Sequence, residues 1–154
     1  MILKICPEIL EYSKEVQKLC CKKYPQHPKG CPNYAKKEGC PPQPLINEVL
    51  DFKQPIYLIY TEFKIGNFAR GIKKAHPEWT EKQCYNLRYW QPKARKIQRR
   101  EEGKAELLFN LTKIIKSPEA NGINIDSLFK KLNMPLEWPP RKITRLVSIG
   151  GYAI

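Results

Sequence analysis

Ile9, Tyr12, Val16 and Leu19 recur at helical intervals, which predicts an amphipathic helix from Glu8 to about Cys20, with Pro7 at its first turn. Periodicity then vanishes from Cys21 to Pro44, a stretch too long to lie in a compact domain without something to hold it. Leu45 to Phe52 reads as a short helix. Behind Pro55, the β-branched and aromatic run Ile56 to Phe63 is the best strand in the chain. Ile65 to Ala75 returns to helical spacing. Thr80 followed by Gln83 forms a capping-box pattern, so a helix is expected from there through Trp90. It should bend or break at Pro92 and continue towards Ile114, weakened in its middle by Gly103. Gly122 to Ile125 is expected to be extended, with Asp126 capping a small helix from Ser127 to Leu132. After Pro139-Pro140, the apolar stretch Ile143 to Ile154 predicts a terminal strand. Interleaved helices and strands imply an α+β or α/β fold. The expectation is a single metal-binding domain over residues 1–154, with a short central sheet, a long basic helix and a proline-rich loop.

Composition sharpens this outline. A chain of 154 residues supports one domain with a core of its own, without disulfide staples. Its 14 prolines outnumber 8 glycines, so the loops are stiff rather than flexible. Length and composition argue against a multidomain enzyme and against a collagen-like or coiled-coil chain, and internal repeats and low-complexity tails are missing. The apolar stretch at the N-terminus is short and interrupted by Pro7 and Glu8, unlike a secretory leader. The longest aliphatic and aromatic run, Ile56 to Tyr60, falls far short of a membrane span. No membrane partner is expected, and a cytoplasmic location is. There thiols stay reduced, so six cysteines point to metal ligation or reactive thiols rather than to disulfides.

Cys21, Cys31 and Cys40 share the aperiodic loop, separated by nine and eight residues. Thiolates bind soft metals, and three converging from a loop need a backbone that cannot collapse. Six prolines supply that stiffness, and Gly-Cys-Pro occurs twice, at Gly30-Cys31-Pro32 and Gly39-Cys40-Pro41. Glycine permits the tight turn that aims a sulfur inward. The competing reading, buried cysteines as small hydrophobes, suits Cys6 but not Cys31 and Cys40 among Lys29, Asn33, Lys36, Lys37 and Glu38. Cys-x-x-Cys, the usual zinc-ribbon and ferredoxin spacing, is lacking. His27, between Pro25 and Pro28, is either a loop brace or a ligand, and His76 ends a helix.

Cys21, Tyr24-Pro25, His27-Pro28-Lys29-Gly30-Cys31-Pro32-Asn33-Tyr34, Lys36-Lys37 and Cys40-Pro41-Pro42 together carry a resemblance. With Glu119-Ala120-Asn121-Gly122-Ile123-Asn124-Ile125, they resemble an uncharacterised family of predicted metal-binding, cysteine-rich proteins of archaea and anaerobic bacteria. The similarity runs from about Cys20 to Ile125. That family carries a second cysteine group before the C-terminal element, but here Tyr85 to Ser117 holds none. The resemblance therefore implies one site, with Cys21, Cys31 and Cys40 as ligands and Cys84 as the fourth. Cys20 is an alternative to Cys21. Four thiolates suit a [4Fe–4S] cluster or zinc. With Cys84 bound the site is closed, and without it one iron stays open to substrate or sulfide.

The charge adds a second theme. Lys and Arg number 28 against 15 Asp and Glu, a formal charge of +13. Between Lys82 and Arg100 acidic residues are lacking, whereas Arg88, Lys93, Arg95, Lys96, Arg99 and Arg100 are cationic. Arg88, Arg95 and Arg99 share a helical face by spacing, and Tyr85, Tyr89 and Trp90 are interleaved for stacking on bases. The blander reading makes the aromatics core residues under arginine stems, with the charge serving solubility or offsetting anionic thiolates. Two functions follow. One is an iron–sulfur protein with a redox or sulfur-handling role and a redox partner protein. The other is a zinc-stabilised module for RNA, DNA or another polyanion. Glu62 and Glu119 are candidate site carboxylates, Glu119 the better because it belongs to the resembling element.

Overall fold

The computed structural model describes residues 1–23 and 27–154, so Tyr24-Pro25-Gln26 of the loop motif lie outside the described residues. Its elements are β1 (Ile2–Ile5), α1 (Lys14–Gln17), β2 (Ile56–Phe63), α2 (Ile65–Ala75), α3 (Glu81–Cys84), α4 (Leu87–Phe109), β3 (Lys113–Ile115), α5 (Ile125–Lys131) and β4 (Thr144–Gly151). Short 3-10 turns at Lys18–Cys21, Ile46–Glu48 and Pro118–Asn121 link them. The four strands form one antiparallel sheet in the order β1-β2-β4-β3. The fold class is α+β.

β2 is central and buried on both faces. Ile56, Leu58 and Tyr60 join Ile5, Ile46, Leu50, Leu128, Phe129 and Ile149 in the larger core. Tyr57 and Ile59 point the other way, towards Ala105 of α4 and Leu111. Farther along that face, Phe63 stacks on Trp90, which is buried with Ile65 and Ala94. Each fully buried Leu or Ile in these layers contributes about 1.5–3 kcal/mol relative to exposure.

The helix expected from Glu8 to Cys20 is not continuous. Ile2–Ile5 is an edge strand on β2, and α1 is a single turn capped by the Ser13 hydroxyl, which accepts from the Val16 N–H. Tyr12 is used in an isolated bridge to Ile123, which holds this segment extended. Leu45 to Phe52 shortens to the 3-10 turn at Ile46–Glu48. The predicted Thr80–Gln83 capping box is present. The chain breaks after α3 at Tyr85–Asn86, not at Pro92, because the Asn86 side chain accepts from the Arg88 N–H and starts α4 afresh. Pro92 then falls in the second turn, where it removes only the bond to the carbonyl of Arg88, a residue exposed to water. Asn110, at φ 49°, ends α4 short of Ile114, and Lys113-Ile114-Ile115 becomes β3. Asn124, not Asp126, caps α5, and Asp126 instead pairs with Lys130 at 2.6 Å.

Candidate metal centre

All six cysteines are free thiols. Cys20 and Cys21 end the 3-10 turn at Lys18–Cys21, and the chain returns against them through Cys31. The Cys31 N–H donates to the Cys20 carbonyl at 2.7 Å. Gly30 makes this approach possible. Its φ is +84°, and a Cβ there would stand 2.6 Å from the Cys21 carbonyl oxygen. The next turn is closed by Asn33, whose carbonyl accepts from the Lys36 and Lys37 N–H groups, both at 3.1 Å. Cys40 follows, donating its N–H to the Lys37 carbonyl at 3.0 Å, while the Ala35 N–H reaches the Pro41 carbonyl at 2.7 Å. The loop is therefore cross-braced through its own backbone.

What fastens the loop to the domain is Gln17. Its buried carboxamide donates to the Gln43 carbonyl at 2.6 Å and to the Ala120 carbonyl at 2.8 Å. Gln43 in turn donates its side-chain N–H to the Cys40 carbonyl at 2.8 Å and its backbone N–H to Ala120 at 3.1 Å. This ties the loop to the 3-10 turn at Pro118–Asn121, which carries Glu119.

The electrostatics place the thiols together. Burial pushes the Cys20 thiol up, and Cys31, Cys21, Cys40 and Glu119 each push it further by disfavouring a neighbouring negative charge. Cys20 thus lies in the field of all three loop cysteines and of Glu119. Cys21 is exposed, and Cys20, Cys31 and Cys40 are half-buried. Glu119 reaches the surface, yet the protein crowded around it pushes its carboxyl above the usual range. Among the described residues, no three Cys, His, Asp or Glu side chains form a group that could hold a metal ion.

Cys84 is elsewhere. It is buried at the end of α3 and lines a small cavity of about 310 Å³ with Ala69 and Arg70 of α2 and with Tyr85. It is not among the groups that perturb Cys20. Its surroundings are those of a small packed hydrophobe. His76 stacks on Trp79 at 4.1 Å just beyond α2.

The cations of α4 divide between sites. Arg88, Lys93, Arg95, Lys96, Arg99 and Arg100 are all exposed. Arg95 and Arg99 line a cavity of about 440 Å³ that also takes in Lys116 and Glu119 of the Pro118–Asn121 turn. Arg88 lines a different cavity, beside Tyr85 and Pro140, and Lys93 sits over the Phe68 ring at 4.9 Å. Trp90 is core and is unavailable for stacking. Tyr85 donates its hydroxyl to the Arg141 carbonyl at 3.0 Å and lies under the Arg141 guanidinium. Tyr89 stays exposed, with Trp79 against it at 5.4 Å. Glu62 is occupied by Arg145 at 3.5 Å.

Sequence reasoning missed Gln17 and the buried polar chain behind α4. Thr61 donates to Gln98 at 2.7 Å, Gln98 donates to the Ile59 carbonyl at 2.9 Å and to Ser148 at 3.1 Å, and Ser148 donates to Glu102 at 2.6 Å. The signal was the alternation of Trp90, Ala94, Gln98, Glu102 and Ala105 at helical spacing, where small alanines mark close approach to the sheet. Among the described residues, no helix is long and apolar enough to cross a membrane. No protein-family model, no curated protein and no solved structure matches the chain.

Proposed function

We propose that the cysteine loop holds a thiolate-ligated centre, a [4Fe–4S] cluster, and that the protein has a redox or sulfur-handling role. The observation that carries the reading is the cross-braced backbone that folds Cys31 back onto Cys20 and carries Cys21 and Cys40 on the same loop, with the Cys20 thiol pushed up by burial and then by Cys31, Cys21 and Cys40. Cys20 takes the fourth position in place of Cys84, which packs against α2. In the metal-free protein burial, and then the neighbouring Cys31, Cys21 and Cys40, disfavour the Cys20 thiolate. A bound cation or cluster reverses that sign, because it stabilises every thiolate at once. With four thiolates a cluster would be closed and would supply electron transfer, whereas an iron able to accept sulfur would need one of the four to stay unbound; the exposed Cys21 gives a partner protein a short approach.

Anaerobic purification followed by iron, sulfide and zinc analysis tests the reading. Brown protein with matched iron and sulfide is expected, while colourless protein holding only zinc removes the cluster. The ligand set is tested separately. Cys84→Ser is expected to retain the metal, and Cys31→Ser and Cys40→Ser to lose it.

A second reading puts zinc in the same loop and gives the cations of α4 to RNA or DNA. It is favoured by the exposed Tyr89, next to Arg88 on α4, with the half-buried Trp79 against it. A salt-dependent titration with single-stranded RNA distinguishes it. Binding that survives Tyr89→Ala and Trp79→Ala unchanged counts against stacking.

A further inference from the structure

β3 covers only part of its neighbour. Lys113, Ile114 and Ile115 pair with Gly151, Gly150 and Ile149, and the chain then turns into the Pro118–Asn121 helix. Pro118 has no N–H to offer a ladder and is buried at that turn. Residues 144–148 of β4 are left as an open edge on that side. The direction of their backbone follows from the other end of the sheet. Met1 and Tyr60 exchange N–H and carbonyl bonds at 2.8 and 2.9 Å, so Tyr60 faces β1. By alternation Ile59 and Thr61 face β4, opposite Ser148 and Leu146. Val147 therefore turns its N–H and carbonyl away from β2, towards the open side. Among the described residues nothing pairs with them there.

The cavity of about 440 Å³ lies along this open edge, between it and α4, within the size range of small-ligand sites. Its floor is preformed, since Gln98, Ser148 and Glu102 are locked to one another. The wall is rich in unspent donors. Arg95 and Arg99 stand one helical turn apart, and among the described residues neither is paired with a carboxylate. Lys116 approaches Glu102 at 3.9 Å, and Arg145 uses its guanidinium on Glu62 and on the Met134 and Pro135 carbonyls. Two uncompensated guanidiniums then face the single remaining carboxyl, Glu119. With Gln91 and the Val147 N–H, the wall offers donors and positive charge, which an acceptor-rich anion would match.

We propose that this cavity binds a small molecule through an oxyanion, a phosphate or a carboxylate, clamped by Arg95 and Arg99 with the Val147 N–H as a fixed third donor. The same cations deter a second copy of this basic chain from adding to the edge, as edge charges commonly do. The site stands whether or not the cysteine loop is loaded. Glu119 lines the cavity and also contributes to the field at Cys20.

The test is calorimetric titration of the full chain with inorganic phosphate, pyrophosphate and citrate, with amide chemical shifts read in parallel. Saturable binding of at least one is expected, with a shift at the Val147 amide. The pair Arg95→Ala/Arg99→Ala is expected to weaken it about tenfold or more, and Arg88→Ala/Lys93→Ala less than about twofold. Phosphate against citrate separates the two oxyanion sources. Equal loss in both pairs would mean general surface attraction and overturns the proposal, as does a Val147 amide that never moves. An extended acidic peptide that shifts Val147 where none of the small anions does would make the edge a strand-docking site instead, and also overturns it.

Discussion

Gly30 and Gly39 provide a matched pair of substitutions for the cysteine loop. Both precede a Cys-Pro, and both have positive φ, +84° and +77°. Alanine at either position meets the same left-handed backbone penalty, about 1–2 kcal/mol. They differ in what surrounds them. At Gly39 an added Cβ has nothing within 4 Å, whereas at Gly30 it would lie 2.6 Å from the Cys21 carbonyl oxygen and 3.0 Å from that of Cys20. Those atoms belong to backbone that cannot swing aside like a side chain. Separating them also stretches the Cys31 N–H bond to the Cys20 carbonyl, now 2.7 Å, whose net worth is about 0.5–1.5 kcal/mol. Gly39→Ala should therefore cost about 1–2 kcal/mol, and Gly30→Ala about 2–4 kcal/mol. The proposed ligation would require Cys20, Cys21 and Cys31 to keep this approach. At about 1.4 kcal/mol per factor of ten, thiolate-metal affinity should fall roughly tenfold in the first variant and up to about a hundredfold or more in the second. Cobalt(II) titration of the reduced, metal-free protein against a chelator measures both. Urea unfolding of the metal-free protein checks that both variants still fold cooperatively and ranks their stabilities in the same order. Equal affinities for the two variants would falsify the claim that close backbone approach at Gly30 sets the thiol arrangement.

Other expectations follow from single side chains. Gln17→Met keeps the volume and deletes both donors to the Gln43 and Ala120 carbonyls; apo stability should drop by about 2–4 kcal/mol in urea, with faster amide exchange in the loop. Unchanged exchange there would refute the clamp. Gln98→Ala strands the Thr61 hydroxyl and opens space beneath α4, so a loss of about 2–4 kcal/mol is expected in the same assay, against under about 1 kcal/mol for the exposed neighbour Ile97→Ala. The Glu137 carboxyl is held below the usual carboxylate range chiefly by the Lys142 N–H and then by that of Arg141, at 2.9 and 3.0 Å. A depressed carboxyl stabilises above its unfolded value, and that contribution is lost as pH falls through the lower folded value. Lys142 amide protection should therefore decline on acidification and, in Glu137→Gln, become insensitive to pH over that window.

Local signals carried much of the fold. Ile56–Phe63, Ile65–Ala75, the Thr80–Gln83 box and the C-terminal strand were legible because side-chain period and capping chemistry act over a few residues. The Gly-Cys-Pro repeats likewise exposed a constrained loop, and Glu119 stood out beside it. Edge strands were not legible. Ile2–Ile5 and Lys113–Ile115 are short, and each becomes a strand only because β2 or β4 offers it a ladder. Asn86 displaced Pro92 as the helix boundary because a side chain that caps a new helix outcompetes one missing hydrogen bond in its second turn.

Among the candidate ligands, the division has a physical cause. Residue types and loop stiffness were enough to single out Cys21, Cys31 and Cys40, since proline and glycine constrain their own neighbours. Where Cys84, named as the fourth ligand, and Cys20, named as the alternative to Cys21, lie relative to the loop depends on contacts between distant segments. Gln17 anchors the loop over the Pro118–Asn121 turn, while α3 buries Cys84 against α2. The same holds for the charge. The chain by itself determined that Lys82 to Arg100 is basic, but which arginines line one cavity was decided by where β3 stops. That opening alone puts Arg95 and Arg99 over an unpaired strand edge and leaves Arg88 beside another cavity.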